Sequence, residues 1–318
     1  MPLDRASHLR KNQQWLSDKI SADSSCFYFF YQNKLLYLDK SLFSFSKAQY
    51  QGEAELLSLI ERAEFNLIFL GLEQDKGHFV YDLSALNDDE INRWLAKLFH
   101  CLCCNDAKFI DFRHSISMLS QEQAAILGYA KALIHWQQSA VFCGTCGTET
   151  QSLDGGHRRQ CLNSECQVEQ FPRTDPAVIM LVEYQPKHGP ALCLLAEHHR
   201  ISGQVYSTLA GFVDPGESLV EAVHREVLEE VGIETKQITH FGSQPWPFPN
   251  SLMLGFFAQA TDMEITLEEE ELRSAAWFTA EQLQNFGEWG DETDGKKLPR
   301  KESISRRLID TWCAKQLG

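Results

Sequence analysis

The stretch GFVDPGESLVEAVHREVLEEVGI, Gly211 to Ile233, decides the reading of this chain. LAGFVDPGE has the texture of a strand entering a Gly-rich loop. SLVEAVHREVLEEVG has the spacing of a strongly amphipathic helix. Gly232 stands where a helix commonly ends in a left-handed residue. Within that helix Glu226, Glu229 and Glu230 fall at i, i+3 and i+4, which puts three carboxylates on one face. Like charges so close repel, and the helix by itself loses stability from them. The arrangement makes sense if divalent cations occupy the face, and an array of hard oxygen ligands suits Mg²⁺ or Mn²⁺. Glu217, eight residues before Arg225, falls on nearly the same face and is placed to hold that arginine behind the ligand set. A lone ExxEE would read as a solvated acidic face. Here seven residues fit a 23-residue template flanked by glycines, which favours the cation site.

Around this segment the apolar runs AVIMLVEY and ALCLLAEHH read as strands about the turn Lys187-His188-Gly189-Pro190, and LMLGFFAQA as another. Ile265 to Phe278 reads as strand–turn–strand, Gly287 to Lys301 as a polar loop, and Ser303 to Trp312 as a terminal helix. Eleven residues beyond Gly232 begins SQPWPFPNS, Ser243 to Ser251. Its three prolines fix φ and stiffen a loop, so Trp246 and Phe248 are held ready rather than ordered on binding. Such aromatic faces suit stacking on a flat heterocycle, and Gln244 offers both a donor and an acceptor. Taken alone, the tract reads more readily as a Pro-rich surface loop with core aromatics.

Ten cysteines are unevenly placed. Cys143, Cys146, Cys161 and Cys166 form a CxxC…CxxxxC set in a segment rich in Gly, Thr, Ser and Asn, too poor in apolar runs to support itself by a core. Four thiolates in two knuckles fit tetrahedral Zn²⁺, and four such ligands leave no open position for water, so the site reads as structural. Cys101, Cys103 and Cys104 lack a partner at metal spacing and read as buried thiols on a helix end. His198-His199 reads as a surface pair. His224 has no assigned role.

Upstream, CFYFFYQNKLLYL (26–38) reads as two β-runs about Gln32-Asn33, and 66–73 with 78–83 as a hairpin about Asp75-Lys76-Gly77. Asn87 and Ser120 read as N-caps of helices running to about Cys101 and past Ile134. No internal repeat is legible. The expected domains are 1–138, 139–170 and 171–318.

With 29 Lys+Arg against 44 Asp+Glu the net charge is −15, and 43% hydrophobic residues can bury a core. Disorder is disfavoured, and so is broad electrostatic binding of nucleic acid or anionic membrane. No segment approaches the roughly 18 apolar residues of a membrane span. The first residues lack a signal-peptide stretch and AKQLG matches no address tag, so the cytoplasm is expected.

The Gly211–Ile233 segment resembles the Nudix box, G-x5-E-x7-R-E-U-x-E-E-x-G-U, at every fixed position. SQPWPFPNS resembles the SQPWPFPxS signature of the NADH pyrophosphatases, and the cysteine set resembles the zinc ribbon that precedes the Nudix domain in that family. The second knuckle departs from the usual CxxC by two residues. The resemblance implies an α+β protein: a Nudix α/β/α sandwich around a mixed sheet, preceded by a zinc ribbon and an N-terminal Nudix-like α/β domain. It implies hydrolysis of the pyrophosphate of NADH, and more weakly of NAD⁺, to AMP and nicotinamide mononucleotide. Some members also remove NAD caps from RNA 5′ ends.

It further implies that Glu226, Glu229 and Glu230 bind the catalytic Mg²⁺ or Mn²⁺, one of them helping to activate water. Which glutamate acts as the base stays open. Glu271 matches a further metal ligand, although it closes the run Glu268–Glu271, which reads locally as solvated surface. Phe171, Ala210, Gln244, Pro245, Trp246, Pro247, Phe248, Pro249, Asn250 and Ser251 are implied to line the dinucleotide site. Ser305 matches a contact position on the last helix, by backbone rather than hydroxyl. Arg113 matches an N-terminal arginine that reaches substrate, or is a surface arginine. A homodimer is implied.

Overall fold

The computed structural model describes residues 3–50, 56, 58, 59, 66–104, 106–292 and 294–318. The chain divides into two units, Met1–Arg173 with Pro247–Pro249, and Thr174–Trp246 with Asn250–Gly318. In the first, helix α1 (Gln13–Ser21) precedes strand β1 (Cys26–Tyr31), which turns into β2 (Lys34–Leu38). Gln32 and Asn33 both take positive φ (47° and 64°), the tight turn whose twist matches paired strands. With β3 (Ser41–Leu42), β4 (Asn66–Glu73), β5 (Lys76–Asp82) and β6 (Ala107–Asp111) they form a sheet of order β3-β2-β1-β5-β4, with β6 on β2. The β4–β5 turn is tighter than the sequence suggests. Gln74 takes the positive φ (58°), and Lys76 and Gly77 already pair with Glu73 and Leu72.

Strand β1 is buried throughout because both its faces are covered. Phe27, Phe29 and Tyr31 share a core with Trp94 and Leu98 of α2 (Asp88–Leu102), while Tyr28 and Phe30 meet Ile126, Leu127 and Ala130 of α3 (Gln121–Ser139). Asn87 and Ser120 cap these helices as expected, each in a reciprocal box with Glu90 or Gln123. The cysteines at the end of α2 depart from expectation. Cys103 is a left-handed C-cap (φ 48°) that turns the chain off the core, so Cys103 is exposed and Cys101 and Cys104 only half-buried.

The cysteine module belongs to this unit as a three-stranded sheet, β7 (Thr150–Leu153), β8 (Arg158–Cys161) and β9 (Glu169–Gln170). Its attachment is polar. The buried Arg159 guanidinium donates to Thr150 Oγ1 (2.7 Å), Thr150 O (2.8 Å) and Gln137 Oε1 of α3. His157 Nε2 lies 2.7 Å from Phe69 O of β4.

In the second unit β10 (Asp175–Tyr184) is central. It runs parallel to β15 (Ser251–Ala260), and its other edge is shared by β11 (Leu192–His198) and β13 (Leu209–Phe212), both antiparallel. β12 (Tyr206–Ser207) and β16 (Leu272–Phe278) pair with β11, and β14 (Thr235–Trp246) takes the edge beside β15. Alternation puts Val178, Met180 and Val182 into the core under α4 (Leu219–Val231), and Ile179 and Leu181 into the core under α5 (Ile304–Leu317). That is the expected α/β/α sandwich around a mixed sheet.

The two sheets share a plan that the sequence hides. In each, a central strand pairs in parallel with the second strand of a later hairpin, β1 with β5 and β10 with β15, and that hairpin's first strand takes the edge. β2 carries β6 as β11 carries β16. Pairing order is set by backbone hydrogen bonds and alternation, which unrelated side chains satisfy equally.

Two segments differ from expectation. Ser243–Trp246 ends β14 rather than lying in a loop, with Trp246 opposite Ser251, and the edge position lets Pro245 sit in a strand. Of Ile265–Phe278 only Leu272–Phe278 is strand. The preceding residues cap α4: Thr266 N–H donates to Val231 O (2.9 Å) and Glu268 N–H to Glu230 O (3.0 Å), carbonyls that a helix end leaves unpaired. Gly232 makes this approach possible. Its φ is 72°, and a Cβ there would lie 2.7 Å from Thr266 Cβ. Among the described residues no helix is long and apolar enough to cross a membrane.

Gly232→Ala should therefore cost about 1–3 kcal/mol, read as a lower denaturation midpoint. An unchanged midpoint would contradict this account of the loop.

Candidate active site

Ser218 starts α4 in a reciprocal box with Glu221, and Gly232 ends it. Glu230 lies on the sheet side, 3% exposed, and neither carboxylate oxygen has a hydrogen-bond partner. Burial first, then the charges of Glu226 and Glu271, push its pKa up to about 8, and the nearby Ala210 amide opposes the shift without forming a full hydrogen bond to the carboxylate. Glu226 is also raised, by burial first. Arg225 opposes that shift, and Glu229 and Glu271 add to it. Glu271 thus belongs electrostatically to the helix cluster, which its place in a run of four glutamates does not reveal. Glu268 has a different job: its carboxylate accepts from the amides of Glu270 and Glu271 (3.0 and 2.8 Å). His199 N–H donates to Glu271 O (3.1 Å), and Arg200 lies 3.6 Å from the Glu271 carboxylate. The exposed His199 therefore helps fix the loop.

Arg225 organises the outer side. Its guanidinium donates to both Glu217 oxygens (2.8 and 2.9 Å), to Glu226 Oε1 (2.9 Å), to Glu229 Oε2 (3.0 Å) and to Phe212 O (2.9 Å). Glu217 precedes the helix cap rather than sharing the helix face, yet it holds Arg225 as expected. The Arg225 hydrogen bonds keep the Glu217 carboxyl below its usual range.

Gly211 sits where the strand meets this cluster. A Cβ there would fall 1.9 Å from the Glu226 carboxylate, so a side chain at this position would displace that carboxylate. Its neighbour Ala210 is half-buried opposite Ile179. Phe212, with no role assigned from the sequence, is 59% exposed. The available signal was strand alternation, which turns it away from the core that holds Leu209.

The remaining predicted contacts divide between the two units. Asn250 Nδ2–H donates to Asp175 Oδ2 (3.3 Å), and Ser251 is buried. Gln244 and Ser305 are engaged within the second unit, Gln244 with the backbone at Glu302 and Ile304 and Ser305 with Thr208. Pro245 is exposed and Trp246 half-buried. Pro247, Phe248 and Pro249 group with the first unit. There Lys131 Nζ donates to Pro247 O (2.7 Å), and the Phe248 ring stacks on Phe112 (5.8 Å) with the Arg113 guanidinium 4.5 Å from its centroid. The Phe248–Pro249 bond is cis. Phe171, also in the first unit, is 57% exposed.

The four ribbon thiols converge, with every Sγ within 4.8 Å of the others. Cys143 faces Cys166 at 3.8 Å and Cys146 faces Cys161 at 3.4 Å. The two extra residues of the second knuckle are absorbed in a turn built on Asn163. Its Oδ1 accepts from Glu165 N–H (2.9 Å) and its carbonyl from Cys166 and Gln167 N–H (3.0 and 2.9 Å). Cys166 is thereby carried to the cluster.

A helix bearing clustered glutamates on a mixed sheet, behind a four-cysteine ribbon, defines the class as a Nudix hydrolase with a zinc ribbon. Comparison with known proteins agrees. Residues 173–299 match the NUDIX domain, 24–136 the NADH pyrophosphatase-like rudimentary NUDIX domain and 138–171 the NADH pyrophosphatase zinc ribbon domain. The chain is 31% identical to the NAD-capped RNA hydrolase NUDT12 of Macaca fascicularis, over 98% of this chain and 71% of that one. It is 42% identical to the NAD-capped RNA hydrolase NudC of Pseudomonas aeruginosa, over 62% and 64%. A NUDIX hydrolase crystal structure from Nitrosomonas europaea overlaps 50% of this chain and 97% of its own, at 17% identity and a TM-score of 0.35. The chain belongs to the NADH pyrophosphatase family of Nudix hydrolases. Nudix hydrolases use Mg²⁺ or Mn²⁺, and the ribbon's four-cysteine cluster fits a structural Zn²⁺.

Three outcomes follow from this geometry. Gly211→Ala should displace Glu226 and lower kcat about 100-fold, and turnover close to that of the unsubstituted protein would contradict the contact. Cys166→Ser should lower bound zinc, measured by metal analysis, together with the melting temperature. Metal-free protein should lose stability as pH rises from about 4.5 toward 8, because folded Glu230 holds a proton there that the unfolded chain releases. Glu230→Gln should flatten that slope.

Proposed function

We propose that this chain hydrolyses the pyrophosphate bond of NADH, and more weakly of NAD⁺, to AMP and nicotinamide mononucleotide, and that it removes NAD caps from RNA 5′ ends. The observation that carries this reading is Glu230, a buried carboxylate with no partner, coupled to Glu226 and Glu271. A buried charge is tolerated when a counter-ion completes it, so the donor set fits a divalent cation. The names of the relatives support the substrate class.

In this reading Glu226, Glu229, Glu230 and Glu271 hold the metal. When bound, the metal neutralises pyrophosphate charge and lowers the pKa of a bound water. Arg225 orients Glu226 and Glu229 through the hydrogen bonds above. Phe212, Trp246, Asn250 and Ser251 offer aromatic and polar contact to the dinucleotide, with Ala210 in the same strand as Phe212, and Pro247, Phe248 and Pro249 are assigned by resemblance alone. Phe171 and Arg113 are assigned by resemblance alone, as is a homodimer, while the cytoplasm and the three-part division at 138 and 170 rest on the reading of the sequence.

Chromatographic product analysis tests the function. NADH and NAD-capped RNA are each incubated with Mg²⁺, Mn²⁺ or EDTA. Metal-dependent AMP and reduced nicotinamide mononucleotide from NADH are expected, and Glu230→Gln should collapse turnover while substrate still binds. Folded, zinc-loaded protein that cleaves neither substrate would overturn the proposal.

A further inference from the structure

Gln244 lies in β14 opposite Met253, and its side chain reaches the start of α5. Its Nε2–H donates to Glu302 O (2.7 Å) and its Oε1 accepts from Ile304 N–H (2.7 Å). One amide thus bonds the main chain on both sides of Ser303, the residue that caps α5. A second strand grips the same turn. Buried Ser305 Oγ accepts from Thr208 N–H (3.2 Å) and from the Thr208 hydroxyl (2.8 Å). Thr208 immediately precedes β13, which carries Ala210, Gly211 and Phe212. The first turn of α5 is therefore tied to β13, whose Gly211 makes room for Glu226, and to β14, which carries the first half of the SQPWPFPNS tract.

We propose that Gln244 is a positioning residue, acting through the register it sets between the first turn of α5, β13 and β14 rather than through contact of its own amide with substrate. With Thr208 and Ser305 it fixes the register between β13, β14 and that turn. The inference rests on the proposed hydrolysis of NADH. The chemistry selects glutamine: the clamp needs a donor and an acceptor on one rigid plane. A glutamate has two acceptors and reproduces the clamp only when protonated, because its ionised form would set an oxygen against the Glu302 carbonyl.

Gln244→Glu is therefore the test. The charged groups that flank the clamp are Arg300, Lys301, Glu302, Arg306 and Arg307 on the α5 side, Glu288 against Lys301 and Arg306, and His240 on β14, while β15 carries no titratable residue. Melting temperature without substrate, and KM and kcat for NADH, are measured from pH 5 to 8 for the variant, for Gln244→Ala and for the unsubstituted protein. Relative to the unsubstituted protein, Gln244→Glu should match at pH 5 and fall away toward pH 8. The melting temperature should drop and KM rise about tenfold with kcat less affected. The sign follows because the clamp favours the protonated acid, so stability is lost as pH rises. Gln244→Ala should show a deficit that does not vary with pH.

A raised KM with no pH-dependent change in substrate-free melting would mean that the amide touches substrate directly, which overturns the inference. A melting shift with unchanged KM would make the clamp merely structural, which also overturns it. Unsubstituted protein that leaves NADH uncleaved would show the failure to lie in the activity itself, and this role would fall with it.

Discussion

A carboxylate held out of water with no hydrogen-bond partner is the constraint on which the catalytic unit turns. Glu230 is buried on the sheet side of its helix, beside Glu226 and within the field of Glu271. Left alone, such a group opposes folding, by desolvation and by repulsion from its neighbours. Its surroundings hold it in place all the same. The helix is capped at both ends, its apolar face fills one side of the sheet, and Arg225 gathers three of the surrounding carboxylates. Polar strain kept at one point of a well-packed unit is how a binding site for a cation is built.

The supporting devices are small and local. Gly211 removes a side chain that would occupy the Glu226 carboxylate, and Gly232 lets the Thr266–Glu268 backbone finish the helix. That second contact decides where Glu271 goes: a loop stitched to the helix end brings a glutamate forty-one residues on to the cluster. The ribbon is tied to its own unit by different means, with the buried Arg159 and His157 bonded to groups on α3 and β4 where a module this short lacks an apolar core.

Much of this is legible in the sequence, for physical reasons. Helix starts at Asn87, Ser120 and Ser218 follow from capping chemistry within three residues. The glutamate face follows from helical period, and the zinc set from ligand type and spacing. What is not legible depends on partners far along the chain. Ile265–Leu267 has strand composition, but the amides of Thr266 and Glu268 are taken by the end of α4. The thiols at 101–104 look buried in the sequence, yet the left-handed Cys103 is exposed and its neighbours Cys101 and Cys104 are half-buried. Gln244 and Ser305 match contact positions by motif, yet their side chains are engaged with Glu302, Ile304 and Thr208, which only tertiary structure brings near. The shared pairing plan of the two sheets shows in strand order rather than in repeated motif residues.

The central claim is that the carboxylates around Glu230 form a seat for a divalent cation. Calorimetric titration of Mn²⁺ into zinc-loaded protein at pH 7, in buffers of different ionisation enthalpy, tests it most directly. The account predicts a binding heat that changes with the buffer, because the cation expels the proton that burial keeps on Glu230, and it predicts that this dependence disappears in Glu230→Gln. A heat independent of buffer, or the same dependence in Glu230→Gln, would contradict the account.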